Sequence, residues 1–336
     1  MSKEQNSEIL ASVIVPTYNR RSMLNELILS LWDQTLDSSL YEIIVIDDCS
    51  TDGTAELLEQ MTAKAPCRMI WRRLPANKGP ICARNMAVRM ARAEILAFTD
   101  SDCRVTRDWI AKGVAALRAD TTLAFVSGCV LDKPEQPTRF FSLPNGTKPG
   151  ENPVYPTWNI FYRKSILMEL GGFDETAWFG NIGGRPIDCS DSDFALKVKN
   201  MGYPFRFAAD LVVYHEVWQA KPLEWLKAFI RLIYVPALMK RHPSLRREIL
   251  WWGTFLSKDN LFFYVAFAAA LLGLWSKWVW LLVLPHCWRS ISFAGPKISI
   301  KRIPKVAAQI VFINLRQAVI CGSLVYGSIR TRTLVL

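Results

Sequence analysis

Two short apolar runs, each stopped by turn chemistry and separated by a one-faced helix, limit this 336-residue chain to few folds. Ser12-Val13-Ile14-Val15 ends at Pro16, and Tyr41-Glu42-Ile43-Ile44-Val45-Ile46 ends at the Asp47-Asp48 pair, so each reads as a buried strand. Between them Met23, Leu24, Leu27, Ile28, Leu31 and Trp32 recur at three- and four-residue spacing, the stripe of an amphipathic helix. A β-α-β unit results.

The alternation continues. A helix from near Thr54 carries Leu57, Leu58 and Met61, a strand fits Arg68 to Trp71, and a helix over Ile81 to Ala91 precedes the strand Ile95-Leu96-Ala97-Phe98. This order predicts an α/β domain with a mostly parallel sheet and helices on both faces. In such sheets ligands sit beyond the carboxyl ends of the strands, where Asp47, Asp48, Asp100 and Asp102 fall. The stretch from Asp132 to Pro156, with six prolines and two glycines, reads as a long irregular connection. Then come a helix around Lys164 to Leu170, the turn Gly171-Gly172-Phe173-Asp174-Glu175, and a helix from Asp191 to Asn200 that Gly202 ends.

Charge divides the chain at Trp218. Residues 219–336 carry 17 Lys/Arg against Glu224, Glu248 and Asp259, a net of +14, whereas the first 218 residues carry a net of −3. The basic excess is interleaved with Trp, Phe and Leu, which points to anionic lipid headgroups rather than nucleic acid. Eight scattered cysteines, without a CxxC pair or a zinc-like His spacing, read as reduced thiols. The polar start MSKEQNSEIL lacks a signal-peptide core, so a cytoplasmic catalytic domain is expected.

From Leu223 onward Trp225, Leu226, Phe229, Ile230 and Ile233 follow helical spacing, with Lys227 and Arg231 on other faces, as in an interfacial amphipathic helix. Leu261 to Leu284 holds 24 residues with one charge, Lys277, enough to cross a bilayer as one helix. A single crossing would put Arg289, Lys297, Lys301, Arg302 and Lys305 outside, against the positive-inside rule, so a shallow hairpin turning near Ser276-Lys277 is preferred. Val306 to Tyr326 is apolar but interrupted by Asn314, Arg316 and Gln317.

The chemistry centres on Asp100-Ser101-Asp102. Two carboxylates two residues apart on a strand-end loop can share a hard divalent cation that keeps positions open for phosphate oxygens. Such acids also cap helices and turns, and alone the pattern is weak. Its neighbours sharpen it: Val13-Ile14-Val15-Pro16-Thr17-Tyr18-Asn19-Arg20, then Val45-Ile46-Asp47-Asp48-Cys49-Ser50-Thr51-Asp52-Gly53-Thr54, then Ala83-Arg84-Asn85, then the DxD, in that order. Over roughly residues 10 to 218 this set resembles family 2 glycosyltransferases with the GT-A fold.

That resemblance implies a catalytic domain over 1–218, with a nucleotide-binding half at 10–105 and an acceptor half at 106–218. A basic, apolar, membrane-associating helical region would occupy 219–336. It implies that Tyr18 packs on the nucleotide base, Asp48 accepts a hydrogen bond from it while Asp47 braces the loop, and Asp100 meets the ribose. Pro16, Arg84 and Ser101 would complete the donor site. Asp102 becomes the principal ligand of Mn2+ or Mg2+, and His215 completes the metal and diphosphate site. The turn Gly171 to Glu175 matches the family's acceptor side. Asp191 becomes the catalytic base, although Ser190 stands where the family usually has Glu. Trp158, Asp174 and Trp178 are acceptor-side candidates, though such aromatics also build cores.

One base and one metal imply inversion by single displacement from a nucleotide diphosphate donor, UDP-sugar favoured because an acidic acceptor suits uracil N3–H. The tail from Tyr326 to Leu336 resembles bacterial exopolysaccharide and capsule glycosyltransferases with short C-terminal membrane segments. Their acceptors imply a polyprenyl-diphosphate-linked saccharide at the cytoplasmic face of the inner membrane, and no nucleic acid. Two alternatives stand beside this: a processive polysaccharide synthase, whose usual QxxRW string is absent, and an inactive sugar-nucleotide-binding membrane protein, which would be expected to lack Asp102 or Asp191.

Overall fold

The computed structural model describes residues 8–144, 150–175, 181–182, 185–186, 189–272, 277–294 and 303–336. Trp178, an expected acceptor-side residue, lies outside them. In chain order the first elements are β1 (Ala11–Thr17), α1 (Arg21–Trp32), β2 (Tyr41–Asp47), α2 (Thr54–Lys64), β3 (Arg68–Arg73), α3 (Pro80–Met90), β4 (Ile95–Phe98), β5 (Cys103–Val105), α4 (Trp109–Ala119) and β6 (Phe125–Asp132). They continue with β7 (Ser142–Leu143), β8 (Ile160–Arg163), α5 (Lys164–Glu169), β9 (Asn181–Ile182), β10 (Arg185–Pro186), α6 (Ser190–Asn200), β11 (Phe205–His215) and β12 (Trp218–Gln219). Among the described residues six α-helices follow: α7 (Pro222–Ala228), α8 (Val235–Arg241), α9 (Leu245–Ile249), α10 (Lys258–Leu272), α11 (Leu284–Ala294) and α12 (Ile303–Thr331).

The chain forms two compact units. One comprises Met1–Thr138, Pro144–Ala177 and Cys189–Trp218; the other comprises Arg139–Leu143, Trp178–Asp188 and Gln219–Leu336. The first is built on an eight-stranded sheet of order β3-β2-β1-β4-β8-β6-β11-β5. The pairs β3·β2, β2·β1, β1·β4 and β6·β11 are parallel, while β4·β8, β8·β6 and β11·β5 are antiparallel. Every residue of β1 and β2 is buried, as expected of strands covered on both faces. One face buries Val13, Val15, Ile43 and Val45 against Leu24, Leu27 and Ile28 of α1 and Trp109 and Val114 of α4. The other carries an aromatic cluster in which Tyr162 meets Phe98, Phe125 and Phe194 with ring centroids 5.2 to 5.9 Å apart.

Pro16 does not end the first strand. β1 runs on to Thr17, with Pro16 in register with Ile46 and Thr17 with Asp47. This brings the turns after β1 and β2 side by side: Asn19 donates its N–H to Ser50 Oγ at 2.9 Å, and its side-chain oxygen accepts the Thr51 N–H at 2.8 Å. Asn19 sits at φ 50°, in the left-handed region that Asn tolerates better than most residues.

The second unit is helical. The apolar stripe read as interfacial is partly covered within this unit: Trp225 and Ile233 are buried while Leu223 is 63% exposed, and the Arg316 guanidinium of α12 lies 5.8 Å over the Trp225 ring and 5.7 Å over Phe229. The stripe bends because α7 gives way to a 3-10 helix over Phe229–Tyr234. Gly327 lets α12 approach it, since a Cβ there would stand 2.4 Å from the Ile233 carbonyl oxygen. Leu261 to Leu284 is not one helix. α10 covers Lys258–Leu272, a 3-10 helix covers Lys277–Val283, and α11 covers Leu284–Ala294. Asp259 pairs with Arg289 at 2.6 Å, and the Phe263 and His286 rings lie 5.5 Å apart, so α10 and α11 run antiparallel. Among the described residues α12 alone is long and apolar enough to cross a membrane by length and composition.

Candidate active site

The site grows from the carboxyl ends of β1, β2 and β4, which the parallel register aligns. After β2, Asp47 is fully buried, and its Oδ1 accepts the Ser50 N–H at 3.0 Å. Asp48 accepts the N–H groups of Lys78 and Gly79 at 2.7 and 2.8 Å, one on each oxygen. It therefore shapes the loop entering α3, while each oxygen keeps a second lone pair for a ligand donor. Burial pushes its carboxyl above the ordinary value, the two N–H bonds oppose this, and Asp47 adds to the rise. Pro16 is buried at the end of β1, whereas the next side chain but one, Tyr18, is 43% exposed and open to stack on a flat ligand.

Past β4, Asp100 pairs with Arg84 of α3, Oδ1 to Nη2, at 2.9 Å. Burial raises its carboxyl, but the Arg84 guanidinium, helped by Arg20, outweighs this and holds it below the usual range. Ser101 is buried between the two acids. Asp102 is 4% exposed; its Oδ2 meets Arg20 Nη1 at 2.6 Å, and its Oδ1 has no hydrogen-bond partner among the described residues.

His215 reaches Asp102 through strand pairing. It stands opposite Cys103 in the β11·β5 ladder, and the Glu216 N–H donates to the Asp102 carbonyl at 3.0 Å. Its Nδ1 lies 3.0 Å from the Glu216 carbonyl oxygen, which can only accept, so Nδ1 carries the proton. In the neutral ring Nε2 then presents a lone pair toward Asp102 Oδ1, 3.4 Å away. With a proton on Nε2 the two groups form an ion pair, and without it the lone pair and the carboxylate oxygen face each other across a gap that a metal cation can fill. With bonds of about 2.1 Å, two atoms at that separation can share one ion. A carboxylate and an imidazole therefore fit Mn2+ or Mg2+, with further oxygens from a phosphate. Cys103 lies in the same cluster, its ligand atom within 4.8 Å of the others, but burial pushes its thiol well above the ordinary value and keeps it from acting as a thiolate.

Behind His215, the Lys133 ammonium is 1% exposed and lies 2.6 Å from Glu26 and 3.0 Å from Glu216. The pair Thr157–Trp158 links the histidine to Asp191. The Thr157 N–H donates to Asp191 Oδ2 at 3.3 Å, and the Trp158 ring meets the His215 ring edge-on at 4.9 Å. Asp191 lies in the first turn of α6, where the helix dipole favours a carboxylate, and its Oδ1 accepts the Ser192 N–H at 2.7 Å. Asp174 is half-buried in the turn after α5. That turn is held by a residue the motif reading left without a role: Asn85 donates to the Phe173 carbonyl at 2.8 Å and accepts the Phe173 N–H at 3.0 Å. Gly172, at φ 74°, leaves room for it, since a Cβ there would stand 2.9 Å from Asn85 Oδ1. Arg20 was likewise visible only as the last letter of the first motif, and Cys103 and Lys133 carried no signal.

Residues 12–171 match the model of glycosyl transferase family 2. The chain carries a family 2 glycosyltransferase domain. Over 221 residues it is 27% identical to the glycosyltransferase AglE of Haloferax volcanii, a stretch covering 61% of this chain and 66% of that protein. Over 105 residues it is 36% identical to the poly(ribitol-phosphate) beta-N-acetylglucosaminyltransferase TarS of Staphylococcus aureus, covering 31% of this chain and 18% of the relative. The matched stretches thus span 18% to 66% of these relatives' own length. Among solved structures, the mannosyltransferase PcManGT of Pyrobaculum calidifontis, in complex with GDP-Man and Mn2+, superposes with a TM-score of 0.58 at 21% identity, over 97% of this chain and 87% of that one. S. aureus TarS 1–349 in complex with UDP-GlcNAc gives 0.51 at 18% identity, over 96% and 92%. These likenesses establish the GT-A fold, and the family 2 domain's strand ends carry the DxD.

Proposed function

We propose that this chain is an inverting glycosyltransferase that moves a sugar from a nucleotide diphosphate donor, UDP-sugar favoured, to a lipid-linked saccharide in bacterial surface polysaccharide synthesis. The observation that carries the reading is the facing of Asp102 Oδ1 and His215 Nε2, 3.4 Å apart, beside a second carboxylate at Asp100. A divalent cation held by Asp102 and His215 would supply the positive charge that meets the departing nucleoside diphosphate. Tyr18 would stack on the base and Asp48 would accept its N–H. Pro16, Arg84, Asp100 and Ser101 would frame the ribose and the phosphates.

Asp191 would take the proton of the acceptor hydroxyl as the new bond forms at the anomeric carbon, because a sugar hydroxyl is a weak nucleophile at neutral pH. The N–H groups of Thr157 and Ser192 donate to its carboxylate and help orient it. Trp158 and Asp174 would line the acceptor side, and Trp178 keeps the same proposed role.

The second unit supports a seat at the cytoplasmic face of the inner membrane. Around the α10 and α11 pair, Phe267, Leu271, Trp280, Leu282 and Trp288 are exposed, Trp288 at 73%, in a region of strongly basic net charge. Exposed apolar area on this scale marks a contact surface, and lysine and arginine nearby suit anionic headgroups. Two antiparallel helices keep both ends on one side.

The experiment is a transfer assay on the full chain with UDP-, GDP- and dTDP-sugars, with and without Mn2+, using polyprenyl-diphosphate saccharide or a soluble glycan as acceptor. Metal-dependent transfer from a UDP-sugar to the lipid acceptor is expected. Hydrolysis-only or metal-independent turnover overturns the mechanism, and preference for the soluble glycan overturns the acceptor. Retention in the membrane pellet after a molar salt wash is expected from apolar attachment, since salt screens charge alone.

A further inference from the structure

Both carboxylates of the DxD are matched by the chain's own arginines, Asp100 by Arg84 at 2.9 Å and Asp102 by Arg20 at 2.6 Å. The two arginines are not equivalent. Arg84 is 6% exposed at its side chain and belongs to α3, whereas the Arg20 side chain is 32% exposed. The backbone of Arg20 is anchored: it precedes α1, its carbonyl accepts the Leu24 N–H at 2.8 Å, and Asn19 before it is tied to Ser50. Only the long side chain has freedom to move.

A divalent cation approaching Asp102 therefore meets a carboxylate whose charge is already offset and whose Oδ2 is occupied. Cation and guanidinium on one carboxylate also repel each other. A nucleotide diphosphate changes the balance, because its oxygens match the planar guanidinium fork as well as a carboxylate does.

We propose that Arg20 exchanges partners: without donor it neutralises Asp102, and with donor it turns to the diphosphate and leaves Asp102 to the cation. Cation and donor then bind cooperatively, and by linkage each raises the affinity for the other by the same factor. The inference rests on the reading of Asp102 and His215 as the cation site. It explains why a motif built to hold a cation carries an arginine on its principal ligand, a contact that would otherwise only weaken the site.

The test is Mn2+ binding to the full chain in detergent, followed by electron paramagnetic resonance and calorimetry, with and without UDP. For the unmodified protein UDP is expected to raise Mn2+ affinity about tenfold or more, within the usual range of coupling between sites. Arg20→Gln is expected to raise Mn2+ affinity in the absence of UDP by about fivefold and to shrink the UDP enhancement by a similar factor. Arg20→Lys retains charge but loses the fork, so its enhancement should be smaller than that of the unmodified protein. It serves in place of a glutamine variant that does not fold. Equal UDP enhancement in the unmodified protein and both variants overturns the exchange. Asp102→Asn separates the two ideas: loss of Mn2+ binding there upholds the cation site whatever Arg20 does, and unchanged binding overturns the site and the exchange together.

Discussion

His215 turns its Nε2 to within 3.4 Å of Asp102 Oδ1 because its Nδ1 is committed to the Glu216 carbonyl, and this contact joins the end of β11 to the loop between β4 and β5 at the centre of the site. Asp102→Ala is expected to abolish metal-dependent UDP binding while the protein remains folded, since the residue supports no core packing. His215→Ala should weaken Mn2+ binding by about tenfold at least, since loss of even an outer-shell partner of a ligand typically costs about tenfold to a hundredfold. Calorimetry with UDP and Mn2+ decides both, and unchanged affinity in Asp102→Ala removes the cation from this place.

Asp191→Asn keeps the shape and removes the proposed base, and its single amide oxygen can accept only one of the two N–H groups that Asp191 takes from Thr157 and Ser192. Turnover is expected to fall at least about a hundredfold with donor affinity unchanged. Steady-state kinetics alongside UDP-sugar titration separates these effects, and near-normal kcat in the asparagine variant would shift the role to another acid.

The Arg84–Asp100 pair sets a pH dependence. Asp100 is held below its ordinary value, so its contribution to stability is complete above about pH 4 and is lost as pH falls through the lower folded value. In Arg84→Met burial goes unopposed by that guanidinium and Asp100 moves upward. The variant should lose about 2 kcal/mol near neutral pH, discounted from the cost of breaking a fully buried pair because Asp100 is 24% exposed. The gap to the unmodified protein should close below about pH 4. Thermal midpoints by circular dichroism from pH 3 to 7 test this, and a gap that does not vary with pH refutes it.

Asn85→Ala strands the N–H and C=O of Phe173 in a buried place, a loss of about 2 kcal/mol. The midpoint should drop by a few degrees, with acceptor KM rising more than donor KM because the loosened turn carries Asp174. Equal changes in both constants would make Asn85 a purely structural residue.

Much of the acidic strand-end cluster was legible from order alone. β1, β2 and β4 are continuous apolar runs, and a parallel sheet must deliver their carboxyl ends to one edge, so Asp47, Asp48, Asp100 and Asp102 could be placed together before any coordinates. The resemblance implied that Asp47 braces its loop, and in the fold its Oδ1 accepts the Ser50 N–H of its own turn. The division of labour between arginines was not. Arg84 and Arg20 both sat inside motifs, but which carboxylate each meets depends on how far apart the elements end up in space, and no spacing along the chain encodes that.

The amphipathic stripe from Leu223 shows the opposite limit. Periodicity established that Trp225 and Ile233 share an apolar face, but a sequence pattern does not say whether lipid or protein covers it, and here α12 does. Likewise 24 apolar residues permitted one crossing helix, yet Lys277–Val283 is a 3-10 helix rather than α-helix. By itself the sequence determined the α/β class, the strand ends bearing the acids, and the charge contrast between the two halves, because these follow from local period and composition. The tertiary structure decided that Arg20 rests on Asp102, that His215 faces it, and that Asn85 holds the Phe173 turn, because such contacts arise only when β11, β4, α3 and the turn after α5 converge on one edge of the sheet.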